Sequence, residues 1–465
     1  MTEKSHDASR RAFLRHASAL SVVGVGTPLA INLAAMGEAC ASTASDYKAI
    51  VCVFLNGGND YANTLIPYDQ TNYNAYNGYR PTIAIARSAL TNTVLAPTMA
   101  PVDTAGFSRQ FALAPTMDAL LPLFNAGKMG VLLNVGNLIE PATKQQLAQG
   151  TVARPPTLFS HSDQTNQWQS LSADAFPSGW GGRIGDLFEA GNTSPLFTSV
   201  SVAGNALFAT GKRIIQYQTS PADGASFGPV ASPLRGSTKS SEAVVKMMSQ
   251  ASGHLMENDH IRVSKRMIDS NEAWIAALRT ATEPTTPFPI GNSLGDQLKK
   301  VARIISCASA LGAKRQIFYV GLGGFDTHGG VLSIHPGLVK KVADAIAAFY
   351  AATVELGVAN QVTTFTASEF GRSLTSNGDG SDHGWGSMHF VLGGAVNGKK
   401  YYGTPPAVAS NGPDDTGNSA LIPTTSIDQY AATIGKWMGV SDSNLLSILP
   451  NLRNFNASTR NLGFI

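Results

Sequence analysis

Short, continuous apolar runs alternate along this chain with longer segments of helical period. YKAIVCVFL at 47–55 carries no polar residue from Ala49 to Leu55 and is rich in β-branched positions, the signature of a strand buried on both faces. LAPTMDALLPLFNAGK at 113–128 reads as a helix, opened by Ala114 or Pro115 and closed by Gly127, and MGVLLNVGN follows as a strand. In LGDQLKKVARIISCASALG, Leu298, Val301, Ile305 and Ala308 share one helical face, ahead of the strand RQIFYVGL. Leu338, Val342, Ala345 and Phe349 stripe a long helix in HPGLVKKVADAIAAFYAATVELG, ahead of the strand NQVTTFTAS, and SIDQYAATIGKWMG supplies a C-terminal helix. Strands alternating with helices predict an α/β fold whose mainly parallel central sheet is covered on both faces.

The alternation lapses in the middle. Residues 205–240 are rich in Gly, Ser, Thr and Pro, and a polar helical stretch then runs to TEPTTPFPIG. The region 205–292 therefore predicts an insertion, a partly helical cap on the sheet, with His254 and His260 as surface residues. The rest of 42–465 reads as one α/β domain.

The N-terminus has a different character. Paired Arg10 and Arg11 precede Phe13, Leu14 and a mildly apolar run that ends at the small residues Ala39, Cys40 and Ala41. This pattern predicts a twin-arginine export signal over 1–41, and with it the twin-arginine translocation machinery as a partner and a periplasmic or secreted location. An amphipathic N-terminal helix is the alternative, and Cys40 is a second candidate as a lipidation site. The run contains Thr27, Pro28 and Asn32, and no later run is long and apolar enough to span a membrane.

Composition narrows the function classes. Of 465 residues, 43% are apolar and 14% charged, enough for a large core, and the net charge of +3 with no basic stripe argues against nucleic acid. No CxxC, haem-attachment motif or Rossmann fingerprint is present, which counts against thiolate zinc and redox cofactors. Beyond the signal, Cys52 and Cys307 lie in apolar segments and read as buried thiols, with a disulfide between them left open.

Open parallel sheets bind ligands beyond the carboxyl ends of their strands, so the residues there carry the chemistry. NGGNDYANT follows the first strand and contains Asp60. FSHSDQTNQWQ contains His161, Ser162 and Asp163. GGFDTHGG follows RQIFYVGL and contains Asp326 and His328. EFGRSLTSNGDGSDHGWGSMHF contains Glu369, Arg372, Asp382, His383 and His389. Imidazoles and carboxylates without thiolate suit divalent metal ions, glycine lets backbone approach them closely, and clustered carboxylates need a cation. Taken singly, Asp60 reads equally well as a helix cap, Ser162 as an N-cap and Glu369 as a partner of Arg372.

The motifs FLNGGND, FSHSDQTNQWQ, GWGGRIGD, QIFYVGLGGFDTHGG and TASEFGRSLTSNGDGSDHGWGSMHFVLGGAVNGKKYYG, with the twin-arginine start, resemble the exported bacterial family called domain of unknown function 1501, from about Tyr47 to the C-terminus. The resemblance implies the alkaline phosphatase and sulfatase superfamily: a three-layer α/β sandwich with a metal site at the strand ends. It implies Asp60 as the first-strand metal ligand, Asp326 and His328 as mid-chain ligands, Glu369 in the place of an Asp-His pair, His383 or His389 as the late ligand, and Ser162 as nucleophile. Asp382, in DHG at 382–384, is a substitute ligand. The absence of the Asp-His pair at 369 and 370 implies one ion as readily as two, with Zn, Mn, Ca and Fe all open.

The expected function is an exported metal-dependent hydrolase of phosphate or sulfate esters. Arg372 would clamp an oxyanion, and His161 would serve as ligand or general acid. The alternative is a non-catalytic metal-binding or assembly protein that retains the fold and works beside another exported protein.

Overall fold

A computed structural model describes residues 46–171, 178–222, 233–250 and 253–465. The signal expected at 1–41, with Cys40, lies outside the described residues. The strands in chain order are β1 (Lys48–Leu55), β2 (Leu65–Pro67), β3 (Phe111–Leu113), β4 (Met129–Gly136), β5 (Ser199–Ser201), β6 (Tyr217–Gln218), β7 (Arg315–Leu322), β8 (Val362–Ala367), β9 (Arg372–Ser376), β10 (Ser381–His383), β11 (Ser387–Gly393), β12 (Tyr401–Tyr402) and β13 (Thr425–Ser426).

The central sheet runs β12-β4-β11-β8-β1-β7-β5-β6 among the described residues, with β13 also on β4. Its pairings are parallel except for β11, which is antiparallel to both β4 and β8.

Alternation along β1 explains its continuous apolar sequence. Ala49, Val51, Val53 and Leu55 enter one core, and Ile50, Cys52 and Phe54 enter the other. The first core is closed by the helices Ser293–Ser306 and Val331–Glu355, through Leu298, Val301, Val342 and Phe349. The second is closed by Trp180–Phe188 and Ile427–Met438, through Trp180, Ile184, Tyr430 and Ile434. Each such side chain contributes roughly 1.5–3 kcal/mol on burial, which is why apolar residues fill both faces. The result is the three-layer α/β sandwich that the sequence predicts.

Two boundaries differ from the sequence pattern, and both involve proline. The 113–128 helix is split into a 3-10 turn Pro115–Leu120 and a short α-helix Leu121–Asn125, with Met117 at non-helical angles and Pro122 in the first turn of the second piece. The long helix begins at Val331 rather than at His335 and carries Pro336 inside it.

The insertion starts later than residue 205. Ala206, Phe208 and Ala209 are buried in the second core and β6 extends the sheet, so 205–218 belongs to the domain proper. The helices Thr238–Ser249 and Leu255–Arg279 follow, and Trp274 of the latter packs on Phe197 and Tyr217 at the β6 edge. His254 and His260 are exposed. Cys52 and Cys307 are both free and sit in cores on opposite faces of the sheet, which excludes the disulfide left open by the sequence.

Candidate metal centre

β1 lies between β7 and β8 in parallel register, Leu55 opposite Leu322 and Phe54 opposite Ala367. The loops that leave these strands therefore emerge side by side. Gly57 adopts φ +120°, and a Cβ there would stand 2.3 Å from the backbone nitrogen of Asp326, so only glycine lets the β1 and β7 loops touch. The β9–β10 hairpin and the start of the helix His161–Ser170 complete the site.

Asp326 is its centre. One carboxylate oxygen, Oδ1, lies 3.2 Å from His328 Nε2 and 3.4 Å from His383 Nε2, and the two imidazole nitrogens are 2.8 Å apart. The other oxygen, Oδ2, lies 3.4 Å from His161 Nε2. Donor atoms about 2.1 Å from a tetrahedral zinc ion stand roughly 3.4 Å from one another, the scale of this cluster. The ligand atoms of His161, Asp326 and His383 all lie within 4.8 Å of one another.

The partners of the far nitrogens fix the tautomers. His383 Nδ1 donates to the Phe159 carbonyl at 2.6 Å, and His161 Nδ1 donates to Glu369 Oε1 at 2.9 Å. In both rings Nε2 is left as the lone-pair atom, the arrangement in which an oriented histidine binds metal. His161 Nε2 is buried without a hydrogen-bond partner. His328 Nδ1 faces Asp382 at 3.3 Å. With His383 Nε2 as the lone-pair atom, the 2.8 Å contact to His328 Nε2 is bridged by a proton on His328 or by a cation. An orphaned imidazole nitrogen, a carboxylate and two further imidazoles fit a divalent metal ion.

Electrostatics favour the ligand forms. Burial works against charge on Asp326, but the hydrogen bond and charge of Arg372, with His328 and His161 beside it, hold the carboxyl below its usual range. His383 is held below the usual imidazole value, first by burial and then by the neighbouring His161, Arg372 and His328, against the opposing pull of the Phe159 carbonyl. A lowered carboxyl remains anionic and a lowered imidazole remains neutral, as ligation requires.

The other candidates lie elsewhere or do something else. Asp60 is fully buried and bound by Arg80 Nη1 at 2.9 and 3.0 Å, so its charge is spent on a guanidinium rather than on the cluster. Glu369 is not in the ligand group. It accepts from Gly57 N at 2.8 Å as well as from His161, and so orients the His161 ring. Arg372 has a side chain with no exposure. It donates to Asp326 at 2.6 Å, to the Gly57 carbonyl at 3.2 Å and to the Ser381 carbonyl, so it holds these loops together from within. His389 sits in the second core between Trp168 and Tyr430, where burial pushes its pKa down to about 3. Ser162 is exposed, and its hydroxyl lies 3.4 Å from that of Ser160. Asp382 is exposed and anchored by Asn377 at 2.7 Å.

Phe159 and Arg80 carried no signal in the sequence. Phe159 adopts φ +75°, a conformation rare outside glycine, and this turn delivers its carbonyl to His383. Arg80 reaches Asp60 from twenty residues away.

A family model described as a protein of unknown function, DUF1501, matches residues 47–449. The chain belongs to the DUF1501 family. No curated protein matches it. Among solved structures it is similar to Ps i-CgsB in complex with k-i-k-neocarrahexaose, at 12% identity and TM-score 0.34, over 89% of this chain and 77% of that one. It is also similar to a 4S-sulfatase of Bacteroides thetaiotaomicron, at 11% and 0.30 over 86% and 74%, and to the PsFucS1 sulfatase from Pseudoalteromonas sp., at 10% and 0.27 over 88% and 71%. Similarity at this level carries no argument about chemistry. No described helix is long and apolar enough to cross a membrane.

Proposed function

We propose that this DUF1501 protein is an exported hydrolase of phosphate or sulfate esters that works with one divalent metal ion, held by Asp326, His328, His383 and His161. The observation that carries the reading is the buried, unpartnered Nε2 of His161, turned toward Asp326 by Glu369. Three imidazoles and one carboxylate favour zinc or iron over calcium. When bound, such an ion polarises an ester oxygen and acidifies a water.

The chain's own groups do the rest. Asp326 and His328 have side chains 44% and 47% exposed, so the centre opens to solvent on their side and admits a substrate. Glu369 and the Phe159 carbonyl keep protons on the far nitrogens of His161 and His383. Arg372 holds Asp326 ionised and in place. The Ser162 hydroxyl is paired with that of Ser160, so the attacking group in this reading is water.

The test is elemental analysis of protein from its native host, together with hydrolysis of aryl phosphates and sulfates. About one equivalent of metal is expected, and Asp326→Ala with His328→Ala should abolish both metal and activity. Metal-free protein, or activity indifferent to that replacement, sinks the reading.

A second reading, a metal-holding assembly protein without catalysis, draws support from the same site: the Arg372 side chain is fully buried and turned onto Asp326. Full metal occupancy with no turnover across a broad ester panel would favour it.

A further inference from the structure

A second concave site lies at the opposite end of the sheet. Thr193–Phe197 lead into β5 and Arg213–Ile215 lead into β6, and Thr193 N bonds to Gly312 O just ahead of β7, so this cleft faces the amino ends of the strands. The insertion helix Leu255–Arg279 forms its other wall through Val263, Arg266, Asp269, Ser270 and Asn271. Its volume is about 780 Å³, within the range of specific ligand pockets.

Asn271 is the informative residue. On the buried face of its helix it follows Ser264 and Ile268 and precedes the apolar Trp274 and Ala277. It is 2% exposed, and both its amide oxygen and its amide nitrogen lack a partner. A buried amide with neither bond made costs about 1–3 kcal/mol or more, and an apolar residue would avoid that cost. The amide presents a donor and an acceptor side by side, the complement of a peptide unit.

The surroundings point the same way. Ile215 and Val263 are 70% and 59% exposed at the cleft, where aliphatic side chains would cover them. The lining carries both signs of charge: Arg213 pairs with Glu189, and Arg266 and Asp269 also line the cleft. The rings of Phe197, Tyr217 and Trp274 pack together in edge and tilted contacts at the base of the cleft.

We infer that this cleft binds an extended peptide segment with apolar side chains, whose backbone amide pairs with Asn271. The inference stands apart from the metal centre and does not depend on its activity.

The test titrates a positional-scanning library of N-acetylated, C-amidated hexapeptides against the full chain by saturation-transfer NMR, with maltohexaose and cellohexaose as hydroxyl-rich controls. Pools with apolar central residues should bind. Asn271→Leu should weaken the best single peptide by about tenfold or more while the metal content of the distant site is unchanged. Because that variant also removes an unsatisfied buried amide, its Tm should hold or rise, which separates a lost contact from unfolding. Asn271→Asp, which keeps the shape and replaces the donor by an acceptor, should weaken the peptide as well. No binding pool, equal binding by both variants, or preference for the saccharides overturns the inference.

Discussion

Glu369→Gln separates a residue that orients a ligand from one that is a ligand. Glu369 Oε1 receives two bonds, from Gly57 N at 2.8 Å and His161 Nδ1 at 2.9 Å, and Oε2 lies 3.3 Å from the Ser368 hydroxyl. In glutamine the amide oxygen retains the first two bonds and the amide nitrogen faces Ser368, so shape and hydrogen bonding survive and only the negative charge is lost. Charge-assisted bonds are roughly twice as strong as neutral ones, and loss of a carboxylate behind a metal-binding histidine weakens metal affinity about 10–100-fold. The variant should therefore bind zinc about 1.4–2.7 kcal/mol more weakly, with stoichiometry unchanged. The assay is competition of the metal-free protein with a chromophoric chelator at neutral pH. An unchanged Kd would refute the orienting role, and complete loss of binding, as in Asp326→Ala, would return Glu369 to the ligand set.

Other outcomes follow from the same geometry. Arg80→Met strands the fully buried Asp60 carboxylate and should cost about 3–5 kcal/mol in urea unfolding, whereas replacing Asp60 and Arg80 together by apolar residues of similar size should cost much less. His389 stays neutral in the folded chain because burial lowers its pKa to about 3, whereas in the unfolded chain it protonates near 6.5. Its contribution is thus fully present above pH 6.5 and is lost as pH falls toward 3, at about 1.4 kcal/mol per unit crossed, so His389→Phe should flatten the acid limb of stability against pH. Asp428 runs the opposite way: burial raises it from 3.8 to about 7, so its contribution fades as pH rises through that interval, and Asp428→Asn should blunt the loss between pH 4 and 7. Reducing agent should leave Tm unchanged, because Cys52 and Cys307 are free thiols on opposite sheet faces.

Much of the scaffold was legible because burial on both faces writes itself into composition. Ala49–Leu55 and Arg315–Leu322 are apolar for a local reason, and the glycines, acids and histidines behind them mark strand ends in any parallel sheet. The same logic brought out Asp326, His328, His383 and His161, which the fold gathers. It also brought out Asp60 and His389, which the fold places apart from that cluster although their residue types are those of the four just named.

The sequence by itself determined that strands alternate with covering helices, that ligand-type side chains sit at the carboxyl ends of the sheet, and that the insertion interrupts the alternation. Tertiary structure alone decided which of those side chains face one another. A buried carboxylate takes the nearest cation, and Arg80, twenty residues downstream, reaches Asp60 before any metal does. A histidine's ligand atom is set by what its other nitrogen meets, and for His383 that is a carbonyl delivered by the left-handed backbone of Phe159. Neither the distance between residues remote in sequence nor the direction of a carbonyl is encoded in residue type, so the side chains that cluster around Asp326 could be told from the other candidates only once the chain was folded.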